Sequence, residues 1–307
     1  PGPEFDRIRE MIAAAGHSAQ HIGDDAAVLD IGSPEKLVVS TDISVENVHF
    51  RRDWMTFEEI GYRAVAVALS DIAAMGAMPR GVIVAYGVPT ADSSALNDLG
   101  RGAGTAALVS GTFIVGGDIS SSATVTVTAT VLGVAKRPLL RSGARPGDLI
   151  YVTGILGGPS MALKALKEGK APLAAARDRF VRPVPRIREA QWLSQQGATA
   201  CIDISDGLVG ELWHLASASG VELRTGLHNF SHFAGVTIQE ALVSGEEYEL
   251  CVTMPKEVDE ALFAARFGIP LSCIGTVAAS AEPQVNLGIA TASKTLEPFN
   301  HFANDHQ

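Results

Sequence analysis

The chain has 307 residues, 47% of them hydrophobic and 19% charged, enough to bury more than one core, and two domains are expected. Its 24 basic and 34 acidic residues leave a net charge of −10, which argues against a nucleic-acid backbone or an anionic membrane surface as main partner. Cys201, Cys251 and Cys273, odd in number and set in apolar runs, read as reduced core thiols, and with no signal-peptide pattern or membrane-length apolar run they predict a soluble, cytoplasmic protein.

From Lys36 to Pro138 short β-branched runs alternate with helical patterns, as in a layered α and β domain. Strands are predicted at Leu37–Thr41, Val82–Val88, Thr112–Val115 and Thr124–Val134, and helices at Phe57–Met75 and Ser93–Val109. Thr56 with Glu59 three residues on is a capping-box pattern at the start of the first helix. The pattern breaks at Lys136-Arg137-Pro138, which predicts a domain of residues 1–137 followed by one of residues 138–307. The second half alternates again. Strands are predicted at Leu149–Val152, Thr199–Ile202, Tyr248–Thr253 and Cys273–Val277, with a Gly-rich turn at Gly154–Gly158 and a helix from Leu208. The fold class is therefore α+β with two domains.

No G-x-x-x-x-G-K-[ST] occurs, and Gly100, Gly102 and Gly104 lie in a predicted helix with no strand before them, so neither common nucleotide fingerprint is present. What the chain offers instead is a set of carboxylates beside apolar segments: Asp24 and Asp25 in IGDDAAV, Asp42 in VVSTDIS, Asp71 in VALSDIAAMGA, Asp118 in IVGGDIS, and Asp203 and Asp206 in CIDISDGL. An unpaired buried carboxylate costs several kcal/mol or loses its charge, and too few Lys or Arg lie nearby to pair seven. Divalent cations resolve the conflict. Hard oxygen ligands without His or Cys suit Mg²⁺, which is commonly completed by substrate phosphates. Asp71 is the sharpest case, because in the apolar run Ala64–Ala77 only Ser70 and Asp71 interrupt. Taken singly, Asp24 and Asp206 also suit an N-cap or Asx turn, Gly116-Gly117 a hairpin turn, His49 a structural imidazole and Arg141 a surface position.

The ordered motifs IGDDAAV, STDISVENVHF, LSDIAAMGA, GGDIS, RSGARPGD, DISDGL and SGEEYEL resemble those of the thiamine-monophosphate kinases, over nearly the whole chain. That family belongs to a superfamily with aminoimidazole ribonucleotide synthetase, selenophosphate synthetase and a hydrogenase-maturation protein. The resemblance implies an N-terminal domain that dimerises through its sheet, with ATP between the two domains. It implies magnesium ligands at Asp25, Thr41, Asp42, Asp71, Asp118, Asp203 and Asp206, of which Asp25, Asp71, Asp118 and Asp206 are also the catalytic positions. Ser40, Thr41, Gly117, Asp118, Arg141 and Ser205 would meet the nucleotide or its metals, and His49, Glu246 and Phe299 the thiamine monophosphate. Two positions depart from the family pattern: Ser244-Gly245-Glu246-Glu247 stands where Gly-Gly-Glu-Asp is common, and Phe299 where Trp or Tyr is common.

The implied reaction is phosphoryl transfer from ATP to a phosphate monoester that is already largely ionised near neutral pH and needs no catalytic base. Two other readings are a sister synthetase and a non-catalytic ATP-binding protein of the same fold. Against a selenophosphate synthetase stands the first cysteine, Cys201, far from the N-terminus; against a non-catalytic protein stand the filled acidic positions.

Overall fold

The computed structural model describes residues 3–18, 22–226 and 230–288. After helix α1 (Pro3–Ala15) come β1 (Ala27–Leu29), β2 (Lys36–Val45), α2 (Phe57–Ala74), β3 (Met78–Val88), α3 (Leu96–Val109), β4 (Ile114–Ser121) and β5 (Thr126–Ala135). These strands form one sheet in the order β1-β2-β5-β3-β4, antiparallel except for the β3–β4 pair. The second half holds β6 (Leu149–Thr153), α4 (Gly158–Lys167), α5 (Ala174–Val181), α6 (Ile187–Gln195), β7 (Ala200–Asp203), α7 (Leu208–Ser219), β8 (Glu222–Thr225), α8 (Ile238–Leu242), β9 (Leu250–Met254), α9 (Glu260–Phe267), β10 (Leu271–Ala278) and β11 (Gln284–Asn286). Its sheet runs β11-β8-β10-β6-β9-β7, antiparallel apart from β11 beside β8.

α2 begins where the sequence predicts: Thr56 Oγ1 accepts from the Glu59 amide and the Glu59 carboxylate accepts from the Thr56 amide. The helix is buried almost all round because β2 and β5 lie under it, α3 packs beside it, and α5 and α6 of the second half cover its remaining side. Gly102 permits the α2–α3 contact, since a Cβ there would collide with the Glu58 carbonyl. α3 itself starts at Leu96, not Ser93, because Asp92 takes a non-helical backbone inside the preceding 3-10 turn.

Alternation fixes the two faces of the first sheet. Along β5, Val127, Ala129 and Val131 are fully buried against the helices, while Thr126, Thr128 and Thr130 point to the other side. That outer face is open and apolar, with Ile43, Ile83 and Val115 exposed. β4 lies further along the chain than Thr112–Val115 and runs straight through Gly116 and Gly117, so these glycines do not form a hairpin turn. Gly117 is needed by the strand pair, because a Cβ there would strike the Val84 carbonyl.

The hydrophobic cores do not follow the chain division. Ala162, Ala176, Phe180 and Val181 pack into the core built on α2 and the first sheet, and Ala73 and Ala74 pack into the core around β9 and α6. Among the described residues no helix is long and apolar enough to cross a membrane.

Candidate active site

The carboxylates gather where α2 crosses from one half to the other. Asp25 comes from the loop before β1, Asp71 from the last turn of α2 and Asp203 from the end of β7, and one carboxylate oxygen of each lies within 4.8 Å of the others. Asp25 is 1% exposed at its side chain; its Oδ1 accepts from Arg141 Nη2 at 2.6 Å, while its Oδ2 is buried without a hydrogen-bond partner. Asp71 accepts from Ser40 Oγ, and Asp203 Oδ2 from the wholly buried Ser70 Oγ at 2.6 Å. Successive residues of α2 thus serve both sides of the junction.

The electrostatics are those of an incompletely balanced cluster. Burial, and then the charges of Asp42, Asp203 and Asp25, push the Asp71 carboxyl well above the usual range. Burial and Asp25 raise Asp203 to about 7, and burial and Glu246 raise Asp42 to about 6. Arg141 is the one guanidinium against Asp25, and its backbone amide also donates to Asp24 Oδ1 at 2.7 Å. The orphaned Oδ2, the short spacing and the all-oxygen donor set fit a hard divalent cation. They do not fit a set of hydrogen-bonded structural aspartates, which would satisfy one another or the backbone.

On β2, Ser40 and Asp42 lie on the inner face with Val38 and Ser44, and Thr41 on the outer face, where its Oγ1 is 3.0 Å from Thr130 Oγ1. Asp42 is level with Ala129, Val84 and Gly117 on the successive strands, so Gly117-Asp118 stand three strand spacings away, about 14 Å. Asp118 shares the outer face with Ile43, is exposed, and accepts from the Ile119 amide next to it. Within one chain the structure therefore brings together Asp25, Ser40, Asp42, Asp71, Arg141, Ser205, Asp203 and Asp206, and sets Thr41, Gly117 and Asp118 apart.

His49 is carried on a tight turn after β2, where its Nδ1 accepts from the Val45 amide at 3.0 Å. Glu246 sits beside Ser205: the Glu246 amide donates to the Ser205 carbonyl at 2.6 Å. Glu246 Oε2 accepts from Arg63 Nη2 and from the Tyr248 hydroxyl at 2.6 Å. Burial opposes the charge of Glu246, but Arg63 and the Tyr248 hydroxyl outweigh it and hold the carboxyl below its usual range. Phe299 falls outside the described residues.

Three functional neighbours are not singled out by the sequence reading. Glu211 on α7 accepts from the Asp206 amide at 3.1 Å, and burial with Asp206 and Asp203 pushes its carboxyl well up. Its signal was available, an acid inside the apolar helix Leu208–Ala216, as with Asp71. Ser70 interrupts the apolar run beside Asp71, but its partner Asp203, like the role of Arg63, becomes visible only when the second half is folded against α2.

Comparison with known proteins bears on the family and the fold. Residues 23–135 match the family model described as AIR synthase related protein, N-terminal domain, and residues 145–288 match its C-terminal domain. The chain is 36% identical over 296 residues to a thiamine-monophosphate kinase of Escherichia coli K12, covering 91% of this chain and 89% of that one. It is 33% identical over 322 residues to one from Bacillus subtilis strain 168, covering 97% and 99%. Among solved structures, AaThiL complexed with AMPPCP and TMP superposes with a TM-score of 0.83 at 29% identity, covering 95% of each chain. Thiamine-monophosphate kinase from Stenotrophomonas maltophilia K279a gives 0.77 at 31%, covering 93% and 96%. The chain belongs to the AIR synthase related proteins and, among them, to the thiamine-monophosphate kinases.

Proposed function

We propose that the chain transfers the γ-phosphoryl group of ATP to thiamine monophosphate, giving thiamine diphosphate and ADP, with Mg²⁺ held by Asp25, Asp71 and Asp203 and joined by Asp42 and Asp206. The observation that carries this reading is the three-carboxylate cluster with its unpartnered Asp25 Oδ2, at the junction of the two halves of a chain from this kinase family. The likeness to AaThiL, a chain complexed with AMPPCP and TMP, supports both substrates. We take residues 1–137 and 138–307 as the two domains that flank the site. Reduced thiols at Cys201, Cys251 and Cys273 suit work in the cytoplasm.

Magnesium bound at the cluster supplies the positive charge that lets two polyanions approach. The residues of the chain do the rest. Ser70 and Ser40 orient Asp203 and Asp71. Arg141, already against Asp25, offers its unpartnered Nε–H as a donor for nucleotide phosphate. His49 accepts at Nδ1 from the Val45 amide, so a neutral ring carries its proton on Nε2 and offers a donor to the acceptor phosphate. No base is required of it, because a phosphate monoester with a second pKa of about 6 is already a nucleophile.

Thr41, Gly117 and Asp118 reach the reaction only if a second copy covers the outer face of the first sheet, and we propose that homodimer. The exposed Ile43, Ile83 and Val115 on that face support it. Release of ADP, measured with thiamine monophosphate, thiamine and an aminoimidazole ribonucleotide precursor in turn, tests the reading. Turnover with thiamine monophosphate alone is expected; comparable rates with thiamine would overturn the base-free chemistry.

A further inference from the structure

Arg63 is a buried cation on a helix that is otherwise apolar at this level, 4% exposed, and every feature around it fixes its plane. Nη1 donates to the Phe180 carbonyl at 2.8 Å and Nη2 to Glu246 Oε2. The guanidinium lies over the rings of Phe180 at 4.9 Å and Tyr248 at 5.8 Å. The Tyr248 hydroxyl donates to the same oxygen, Glu246 Oε2. Both donors thus fall on one oxygen and leave Oε1.

The backbone of this segment is held in an uncommon conformation. Glu246 has φ 65° and Tyr248 φ 52°, left-handed values that a non-glycine residue adopts only under strain. The Glu246 and Tyr248 amides, bonded to the Ser205 and Ile204 carbonyls, hold the turn in place. Strained, partly exposed and pinned at one oxygen, Glu246 lies within electrostatic reach of His49 and Asp42. A strut between the halves needs neither the strain nor the exposure.

We infer that Arg63 is a positioning residue for the acceptor: with Tyr248 it clamps Oε2 of Glu246, so that Oε1 is left to the cationic ring of the molecule being phosphorylated. This rests on the acceptor reading given above. It assigns acceptor selectivity partly to a side chain on α2, two turns before Asp71, so that one helix holds both the metal-side and the acceptor-side carboxylates in register. Lysine cannot replace the planar fork, because it cannot satisfy the Phe180 carbonyl and Glu246 in one fixed plane.

The test is calorimetric titration of the ADP-bound chain with thiamine monophosphate, alongside steady-state KM values and melting. R63K is expected to melt close to wild type, to weaken thiamine monophosphate binding roughly tenfold, and to leave the KM for ATP within about twofold. R63Q is expected to melt lower, since it strands the Glu246 charge. R63Q/E246Q should recover the melting point while the acceptor affinity stays lost. If R63K and the double variant bind the acceptor as tightly as wild type, the pair is only a strut and the inference is overturned. Equal losses for ATP and acceptor overturn it as well. A wild-type chain that takes ATP but binds no thiamine monophosphate brings down the acceptor reading and this inference together.

Discussion

Two groups of buried charges lie at the junction of the halves, and they are built on opposite plans. Around β9, Glu249 accepts from Arg186 Nε at 2.8 Å and from Thr153 Oγ1 at 2.7 Å, and lies 2.7 Å from Arg179 Nη1. Glu247 beside it accepts from the Gly157 amide at 2.6 Å and from the Ser244 hydroxyl. Here two guanidiniums face two acids inside the protein, so the charges match in number, although burial still raises Glu247 and Arg179 Nε has no hydrogen-bond partner. Around Asp71, five acids have raised pKa values, Asp25, Asp42, Asp71, Asp203 and Glu211; Arg141 acts on Asp25, Asp203 and Glu211, and Asp25 Oδ2 has no hydrogen-bond partner. The difference teaches that burial alone does not mark a site. What marks it is a charge balance that the chain does not close by itself.

The largest effect should come from the unbalanced group. Asp71→Asn keeps the shape and removes the charge, and turnover should fall by at least a thousandfold, about 4 kcal/mol, while the metal-free variant melts no lower than wild type because repulsion is relieved. Near-normal turnover at limiting Mg²⁺ would break the comparison. In the balanced group the order is reversed: Arg186→Met should cost about 3 kcal/mol of stability in denaturant titration, by stranding Glu249. A loss below about 1 kcal/mol would mean that Arg179 suffices.

Ligand should close what the chain leaves open. MgATP at about a hundred times its Kd should raise stability by about 2.7 kcal/mol, more than Mg²⁺ or ATP alone, and a melting curve that does not move speaks against the site.

The smallest effect probes the balanced group by pH. Burial raises Glu247 to about 7 despite Arg179, the Ser244 hydroxyl and the Gly157 amide, with Glu249 adding repulsion. A carboxyl raised on folding contributes stability below its unfolded pKa, and that contribution is lost as pH climbs through about 7. Glu247→Gln should therefore gain on wild type between about pH 4.5 and 7, by on the order of 2 kcal/mol, in paired denaturation series. A difference flat with pH would place Glu247 fully ionised and paired.

Much of this was legible in the sequence, and the reasons are local. The capping box of α2, the acid inside its apolar run and the strand before CIDISDGL are local signals, and local physics decides them. What was not legible depends on which face a strand presents and on what packs across the junction. Thr41 and Asp42 are adjacent in STDIS yet point to opposite sides of the sheet, and that follows from the register of β2 with β5. Gly116-Gly117 carries a turn signal that pairing with β3 overrides. Arg63 reads as one more helical residue until Phe180 and Glu246, more than a hundred positions away, fold onto it.

The sharing of cores across the chain division has a consequence for how the molecule comes apart. Phe180 and Val181 fill the core under the first sheet, and Ala73 and Ala74 fill that beneath β9, so two of the three cores are shared between the halves. Arg177 adds a clamp, donating through both terminal nitrogens to Glu59 at 2.7 and 2.9 Å, at the very start of α2. Separating residues 1–137 from the rest would bare a flank of α2 and strip the capping carboxylate of its partner. Heating should accordingly yield one calorimetric transition, with the van't Hoff and calorimetric enthalpies in agreement, because the two sheets stand or fall as a single cooperative unit.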